Sequence, residues 1–566
     1  MAYWAAGGAG GGKGKARADA VDPRLPPGAI PGMWDNSLLH HVDARNILES
    51  LMGPLMQRSQ TKRAAKKAKN ASKDEDFRRV RRAYRRARVA FSSAAPGSGS
   101  MQFKRILGWG GFGLVMLWTV RDNKGVDIRD VAIKMALRDS VREARDELEW
   151  MLHRFRGREH FVQIVDLSPL ISFTDPRLYN VRDTPNPIIV MEVLEKSNLM
   201  ELIQRMDNAG KANVKLDQHD PDFENRYRLD FIPNRILWRM FKCLARAIVG
   251  MAYEETVDFR NPLPIPFHDD PTMIPLAREA FNPHRLDPVD PPEKIIHFDL
   301  DIHNIICGDI GHPLFDKEHE VSPIIKLADY GMTTRWKDGW PAEYKERCIQ
   351  KGKYGFFAPE QRYPFRAALP GFRIGHELNI WAVGQVMFNL LTSCQPYSES
   401  WVPRNRMLKM RDGTLKMVMT WGWWFIEDPE FTMFPIYTMN TLDLRHLVAR
   451  CMADMPEDRP SIEELLFLID KGIVESDERV LAAEMTIARN GGVVPPGSGI
   501  PTGRDTVFYP QEIEREEILT KFYNDLFRSP PVRPDPYYHL WNVITPTPEP
   551  PPPAPDALPR RLSWYV

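Results

Sequence analysis

Residues 295–309 read IIHFDLDIHNIICGD. His297 and Asp299 stand one residue apart, and Asn304 follows that aspartate by five positions, between two apolar isoleucine pairs. Phe298 and Asp301 interrupt the set with an aromatic ring and a second acid. Whether this loop gathers working groups depends on what the rest of the chain supplies.

At 566 residues the chain has room for several domains. Hydrophobic content of 43% and charged content of 27% suit a globular protein with a real core. A net charge of +1 gives no global steering toward nucleic acid or membrane, and no specific nucleic-acid partner is expected. The cysteines at 243, 307, 348, 394 and 451 form no CxxC or Cys/His ligand spacing in sequence, which argues against a zinc motif or a disulfide framework. No stretch approaches the roughly 20 apolar residues that span a bilayer. The N-terminal MAYWAAGGAGGGKGKARADA lacks the apolar core of a secretory signal. An intracellular protein, cytoplasmic and/or nuclear, is the expectation.

The texture changes twice along the chain. Residues 1–100 read as a flexible basic arm: a Gly/Ala run, DPRLPPGAIPG, then KRAAKKAKNASKDEDFRRVRRAYRRARVAF at 62–91. Phe77, Val80, Tyr84 and Phe91 recur there at near-helical spacing, with arginines on the other faces. The tract reads either as a nuclear-localisation or acid-binding patch, or as a solvated helix or disordered tail. From 101 short β-rich runs appear (QFKRILGWGGFGLVMLWTV, DVAIKMAL, then IIVMEVL at 188–194), with a charge-rich helix over roughly 139–156. Beyond 195 helices dominate, in ILWRMFKCLARAIVGMAYEE, NIWAVGQVMFNLLTSC and TLDLRHLVARCMADM. Strands first and helices after predict an α+β fold of two lobes, an N-lobe over 101–193 and a C-lobe over 194–470. Residues 255–293, dense in proline, read as a surface insertion. Residues 471–566 read as a Pro-rich tail holding one amphipathic helix, QEIEREEILTKFYNDLF, and ending in TPTPEPPPPAP. Such a tail serves as a spacer or as a ligand for a regulatory partner, and the basic arm is a second candidate partner surface.

Gly108, Gly110 and Gly113 form a GxGxxG followed by Val115. A dinucleotide fold needs a helix directly after the third glycine. LVMLWTV is β-like instead, so a glycine-rich hairpin covering phosphates fits better. Lys134, in VAIK on the next apolar run, needs anionic partners if buried.

Taken in order, these parts resemble the eukaryotic protein kinase superfamily, over roughly 101–470, in a divergent, fungal-like form. The glycine loop, Lys134, Asp299 and Asn304 are followed by Asp329 in ADYG, by Ala358-Pro359-Glu360, and by Arg459 in PEDRPSIEELL. The resemblance implies a bilobal kinase fold with flexible extensions, and ATP- and Mg²⁺-dependent phosphoryl transfer to Ser/Thr hydroxyls of a protein substrate. The alternative is a pseudokinase that binds nucleotide or acts as a scaffold. It further implies that Asp299 accepts the hydroxyl proton, that Asn304 and Asp329 hold Mg²⁺, and that Lys134 positions the α/β-phosphates. Val115, Ala132 and Ile306 would sandwich the adenine, with Met191 behind it and the Glu192 and Leu194 backbones at its edge. For the Lys134 partner, Glu147 and Glu149 both stand in DELEW. Glu147 is favoured because Met151 follows it one turn on, whereas His153 follows Glu149.

The departures bear on activity. Phe298 replaces an arginine that in many kinases grips a phosphorylated activation segment, which predicts weak dependence on such a phosphate. Asp301 replaces a loop lysine and adds negative charge beside the transferred group. Lys353, in KGKYGFFAPE, stands where Ser/Thr kinases carry the threonine that contacts that lysine. The expected remedy is a Lys353–Asp301 pair that returns a cation to the γ-phosphate. Asn379 replaces an aspartate that braces the loop, and keeps one acceptor oxygen.

Overall fold

A computed structural model describes residues 78–527, apart from 93, 111–112, 138–139, 195, 197, 218, 220, 254–275, 280–291, 312–315, 363–372, 394–401, 427–439, 504 and 506–511. The expectations for residues 1–77, most of 255–293, Cys394 and the polyproline stretch lie outside the described residues.

The N-terminal lobe is a four-stranded antiparallel sheet in the order β1 (Ser100–Trp109), β2 (Gly113–Arg121), β3 (Asp127–Ala136), β4 (Ile188–Glu192). Against it stands α2 (Val141–Glu149), whose last turn widens into a π-helix over Trp150–Arg154. A further helix, α1 over residues 78–91, covers one face of the sheet. Its buried residues Val80, Ala83, Tyr84, Ala87 and Phe91 follow the i, i+3, i+4, i+7 rule. Tyr84 meets Phe103 at 4.9 Å and Phe91 meets Trp118 at 5.6 Å. The flexible arm expected through residue 100 is therefore corrected for 78–91, because this helix has an apolar stripe broad enough to join the core.

The C-terminal lobe is built on α3 (Leu199–Asn213), α4 (Asn234–Ala252), α6 (His376–Thr392) and α7 (Leu442–Cys451), after a small α5 (Ala342–Ile349). Three two-stranded pairs decorate it: β5 (Ile295–Ile296) with β8 (Thr334–Arg335), β6 (Ile305–Ile310) with β7 (Pro323–Leu327), and β9 (Arg404–Lys409) with β10 (Leu415–Thr420). The β5–β8 and β6–β7 pairs bracket the loop that opened the sequence reading, so both of its ends are pinned.

The tail expected from 471 is corrected as well. Helix α8 runs Ile462–Arg489, and Gly472 lies so close to Trp238 of α4 that a β-carbon there would sit 2.5 Å from the indole. Helix α9 (Glu516–Leu526) returns to the lobe and buries Ile518, Leu519, Phe522 and Leu526. Ahead of it Glu514 accepts from the Asn234 and Arg235 N–H groups at 2.7 and 2.8 Å, which caps α4 with a carboxylate. Within the expected surface insertion, residues 276–279 are not surface: Ala277 bridges Arg158, and Glu279 is buried. No described helix is long and apolar enough to cross a membrane.

Candidate active site

The site is assembled from the N-lobe sheet, helix α2, the loop after β5, the Asp329 turn and the segment that carries Lys353. Antiparallel pairing sets Gly108 opposite Val115, and Val115 opposite Lys134. A β-carbon on Gly108 or Gly110 would meet nothing within 4 Å, so internal packing does not demand glycine there. That open space is what backbone N–H groups need to approach a phosphate closely. Gly113 differs, since a β-carbon there would lie 3.3 Å from the Lys134 side chain.

Lys134 is buried and its ammonium bridges two acids, Glu147 at 2.6 Å and Asp329 at 2.9 Å. Burial disfavours its charge, but Asp329 and Glu147 hold its pKa above the ordinary lysine value. Glu149 lies on another face of α2 and reaches Arg182 at 3.2 Å. The helix register decides between the two glutamates: Met151, one turn beyond Glu147, packs into the core.

Asp329 adopts a left-handed backbone (φ 62°), as does Phe298 (φ 63°). Both are non-glycine residues in a sparsely populated region, held there by the surrounding bonds. The Ala328 N–H donates to the Asn304 carbonyl at 2.9 Å, which brings the Asp329 turn and the loop together. The Asn304 amide nitrogen donates to the Asp299 carbonyl and to its Oδ2, both at 2.8 Å, leaving the amide oxygen as its free end. Asp299 Oδ1 is buried and has no hydrogen-bond partner among the described residues, while the Lys353 ammonium stands 3.6 Å from it. Burial pushes the Asp299 carboxyl up, Lys353 pulls it back, and Asp301 and Asp329 raise it again, to about 6.

Asp301 is wholly buried. Lys353 donates to its Oδ2, and the His303 N–H donates to its Oδ1 at 2.7 Å. Burial opposes its ionisation, yet His303 and Lys353 hold its pKa below the usual carboxylate range. The loop acid and the segment base are thus one ion pair. The amide of Asn379 braces the same loop from below with both of its ends. Its oxygen accepts from the His297 N–H at 3.1 Å, and its nitrogen donates to the Ile295 carbonyl at 2.8 Å. Burial pushes the His297 imidazole down to about 4, so it stays neutral, and its Nδ1 accepts from the Asp299 N–H at 3.3 Å.

The protein kinase domain family matches residues 292–467. That stretch carries a protein kinase domain. It is also similar to the phosphorylase b kinase gamma catalytic chain, liver/testis isoform, of Homo sapiens, at 26% identity over 174 residues. That match covers 31% of this chain and 34% of the relative, so the chain spans about a third of the relative's length.

Other parts of the site are fixed by contacts that the sequence hid. Met191 pairs with Ala132 across β3 and β4, and Ile306 lies on β6 opposite Lys326. The next residue, Glu192, is buried, and its carboxylate is held by Lys326 at 2.8 Å and by the Gln163 N–H at 2.8 Å. Its own N–H donates to the Gln163 carbonyl at 2.9 Å, so the segment leading to Leu194 is clamped from both sides. A lysine in the strand PIIKL gave no sign of this role, because alternation alone reads it as solvent-facing. Phe298 is buried where the arginine was expected, and the Lys351 ammonium lies 6.0 Å over its ring. Gly352 makes this close approach possible: at φ 103° its missing β-carbon would fall 2.1 Å from the Phe298 carbonyl oxygen. The segment carrying Gly352 and Lys353 therefore docks on the loop through packing as well as through the Lys353–Asp301 pair. Glu360 and Arg459, both fully buried, form a two-pronged pair at 2.7 and 2.8 Å, with Trp381 beneath the guanidinium.

Proposed function

We propose that the chain is an ATP- and Mg²⁺-dependent protein kinase acting on serine and threonine hydroxyls. The observation that carries this reading is Asp299, whose Oδ1 is buried without a hydrogen-bond partner among the described residues while Asn304 holds its other oxygen. A buried acceptor of this kind fits a hydroxyl donor. With its carboxyl raised to about 6, Asp299 is ionised at neutral pH yet basic enough to take a proton as the oxygen attacks.

The residues present fit the nucleotide and its metal. The Asn304 amide oxygen and the Asp329 carboxylate are hard oxygen donors brought together by one backbone bond, as Mg²⁺ requires. When bound, Mg²⁺ neutralises charge on the phosphates. Lys134, kept charged by Glu147 and Asp329, would hold the α/β-phosphates, and Gly108, Gly110 and Gly113 would admit the phosphates beneath the hairpin. Val115, Ala132, Ile306 and Met191, with the Glu192 and Leu194 backbones, would form the adenine site. Asp299 would orient the substrate hydroxyl and receive its proton while the oxygen–phosphorus bond forms and the β–γ bridge breaks. Lys353 would offset the negative charge of Asp301 and face the transferred group. Taking this cation from just before Ala358-Pro359-Glu360 keeps the arrangement that Ser/Thr kinases build from lysine and threonine, with the sign exchanged.

The test is incubation with labelled ATP and Mg²⁺ on a mixed peptide library, followed by phosphoamino-acid analysis. Phosphoserine and phosphothreonine are expected; phosphotyrosine alone would overturn the specificity. Thermal stabilisation by ATP with Mg²⁺ but no transfer to any peptide would favour the pseudokinase reading.

A further inference from the structure

Three segments distant in sequence bring together His160, Cys243 and His319. Each side chain is fully buried. The two imidazole Nε2 atoms face one another at 3.4 Å, and Cys243 Sγ lies 3.2 Å from the Nε2 of His319. The other nitrogen of each ring is spoken for. His160 Nδ1 meets Glu279 at 2.6 Å, and His319 Nδ1 meets Asp316 at 2.7 Å.

Those two contacts assign the tautomers. A carboxylate only accepts, so each Nδ1 carries a hydrogen, and a ring that is neutral presents its Nε2 lone pair inward. Two lone pairs and a sulfur then converge on one point in a dry interior, which calls for a positive charge between them. The spacing of the two nitrogens also fits a particular ion. For zinc–nitrogen bonds of about 2.05 Å and a zinc–sulfur bond of about 2.3 Å, a tetrahedron sets N···N near 3.3 Å and N···S near 3.6 Å, so the 3.4 Å between the rings matches and Cys243 Sγ, at 3.2 Å, would move outward on binding. Carboxylates that orient metal-bound histidines through Nδ1 are the usual second layer of such sites. That layer is itself anchored here: Arg278 bridges Asp316 and Glu159, and Arg246 donates to Glu318.

We propose that His160, Cys243 and His319 are protein ligands of a buried Zn²⁺ site. The ion would staple the loop after α2 to the middle of α4 and to the segment entering β7. Through Glu279 it would also fix residues 276–279 against the lobe. Adjacency explains why the sequence gave no warning, since no two of the ligands share a motif. The inference does not depend on the proposed activity.

The test uses the full chain, expressed with zinc and purified without chelator. Elemental analysis should find about one zinc per chain, and chelator should lower Tm by several degrees, restored by added Zn²⁺. Replacing the metal with Co²⁺ should give a thiolate-to-cobalt charge-transfer band. That band should vanish in Cys243→Ser and persist in Cys451→Ser, which removes a different buried thiol. Less than about 0.1 equivalent of zinc, with no cobalt band in the unaltered protein, would overturn the site and leave a proton-sharing network in its place. Full loading by another metal would overturn the assignment to zinc.

Discussion

Replacing Lys353 with methionine keeps the length of the side chain and removes its charge, and the structure fixes what should follow. The ammonium contacts Asp301 and stands 3.6 Å from Asp299 Oδ1, so its loss leaves two acids facing the incoming phosphates. At that distance a unit-charge interaction is worth about 1 kcal/mol in water and about 4–5 kcal/mol at an effective dielectric near 20. The Lys353 side chain is 46% exposed, so solvent screens much of it and the lower half of that range applies. About 2 kcal/mol corresponds to roughly a 30-fold loss of kcat/KM. Lys353 also pulls down the Asp299 carboxyl, so its removal should shift the acid limb of the pH profile to higher pH. Initial rates of labelled phosphate transfer across pH 5–8 read both effects (about three pH units suffice for the limb). Lys353→Arg should retain most of the activity. The exchange Asp301→Lys with Lys353→Thr should recover much of what Lys353→Met loses, because it restores one cation without an unpaired acid. A Lys353→Met protein within about twofold of the unaltered rate, with its pH limb unmoved, would refute the electrostatic role.

Three further outcomes follow from the same geometry. In the unaltered protein kcat/KM should rise through pH about 6 as Asp299 ionises, and stand about tenfold below its plateau at pH 5; a flat profile from pH 5 to 7 would contradict its role as base. Arg459→Met leaves Glu360 charged and unpaired at zero exposure, and should cost about 3–5 kcal/mol in urea unfolding monitored by circular dichroism. Phe91→Ala removes a ring packed on Trp118 and Phe173, and should cost about 3–5 kcal/mol; a loss under about 0.5 kcal/mol would mean that α1 is not part of the folded lobe.

The sequence made the two lobes legible because β-rich runs crowd residues 101–194 and long apolar helices dominate beyond 195. Motif order singled out Lys134, Asp299, Asn304 and Asp329, and the fold sets Lys134 against Asp329 and Asn304 against Asp299. Helical geometry chose Glu147 over Glu149, since only Glu147 has an apolar residue one turn on. What the sequence hid was long-range. Helix α1 carries a dense arginine set, and composition reads that as solvated; only packing shows that Val80, Tyr84 and Phe91 outweigh it. The docking of α9 depends on partners such as Asp525 with the Leu229 N–H at 2.7 Å, which no local pattern announces. Lys326 pairing with Glu192 and the convergence of His160, Cys243 and His319 are likewise products of topology, joining residues far apart in the chain.

The central claim is that the Asp299 carboxylate drives phosphoryl transfer in a cleft that holds Mg²⁺ and ATP through Lys134, Asn304 and Asp329. The most direct measurement is transfer from γ-labelled ATP by the unaltered chain and by Asp299→Asn, each first shown to be thermally stabilised by ATP with Mg²⁺. The account predicts incorporation by the unaltered chain and a loss of at least about a hundredfold in the variant, with nucleotide binding intact. Equal incorporation by both proteins, or none by either despite nucleotide binding, would contradict it.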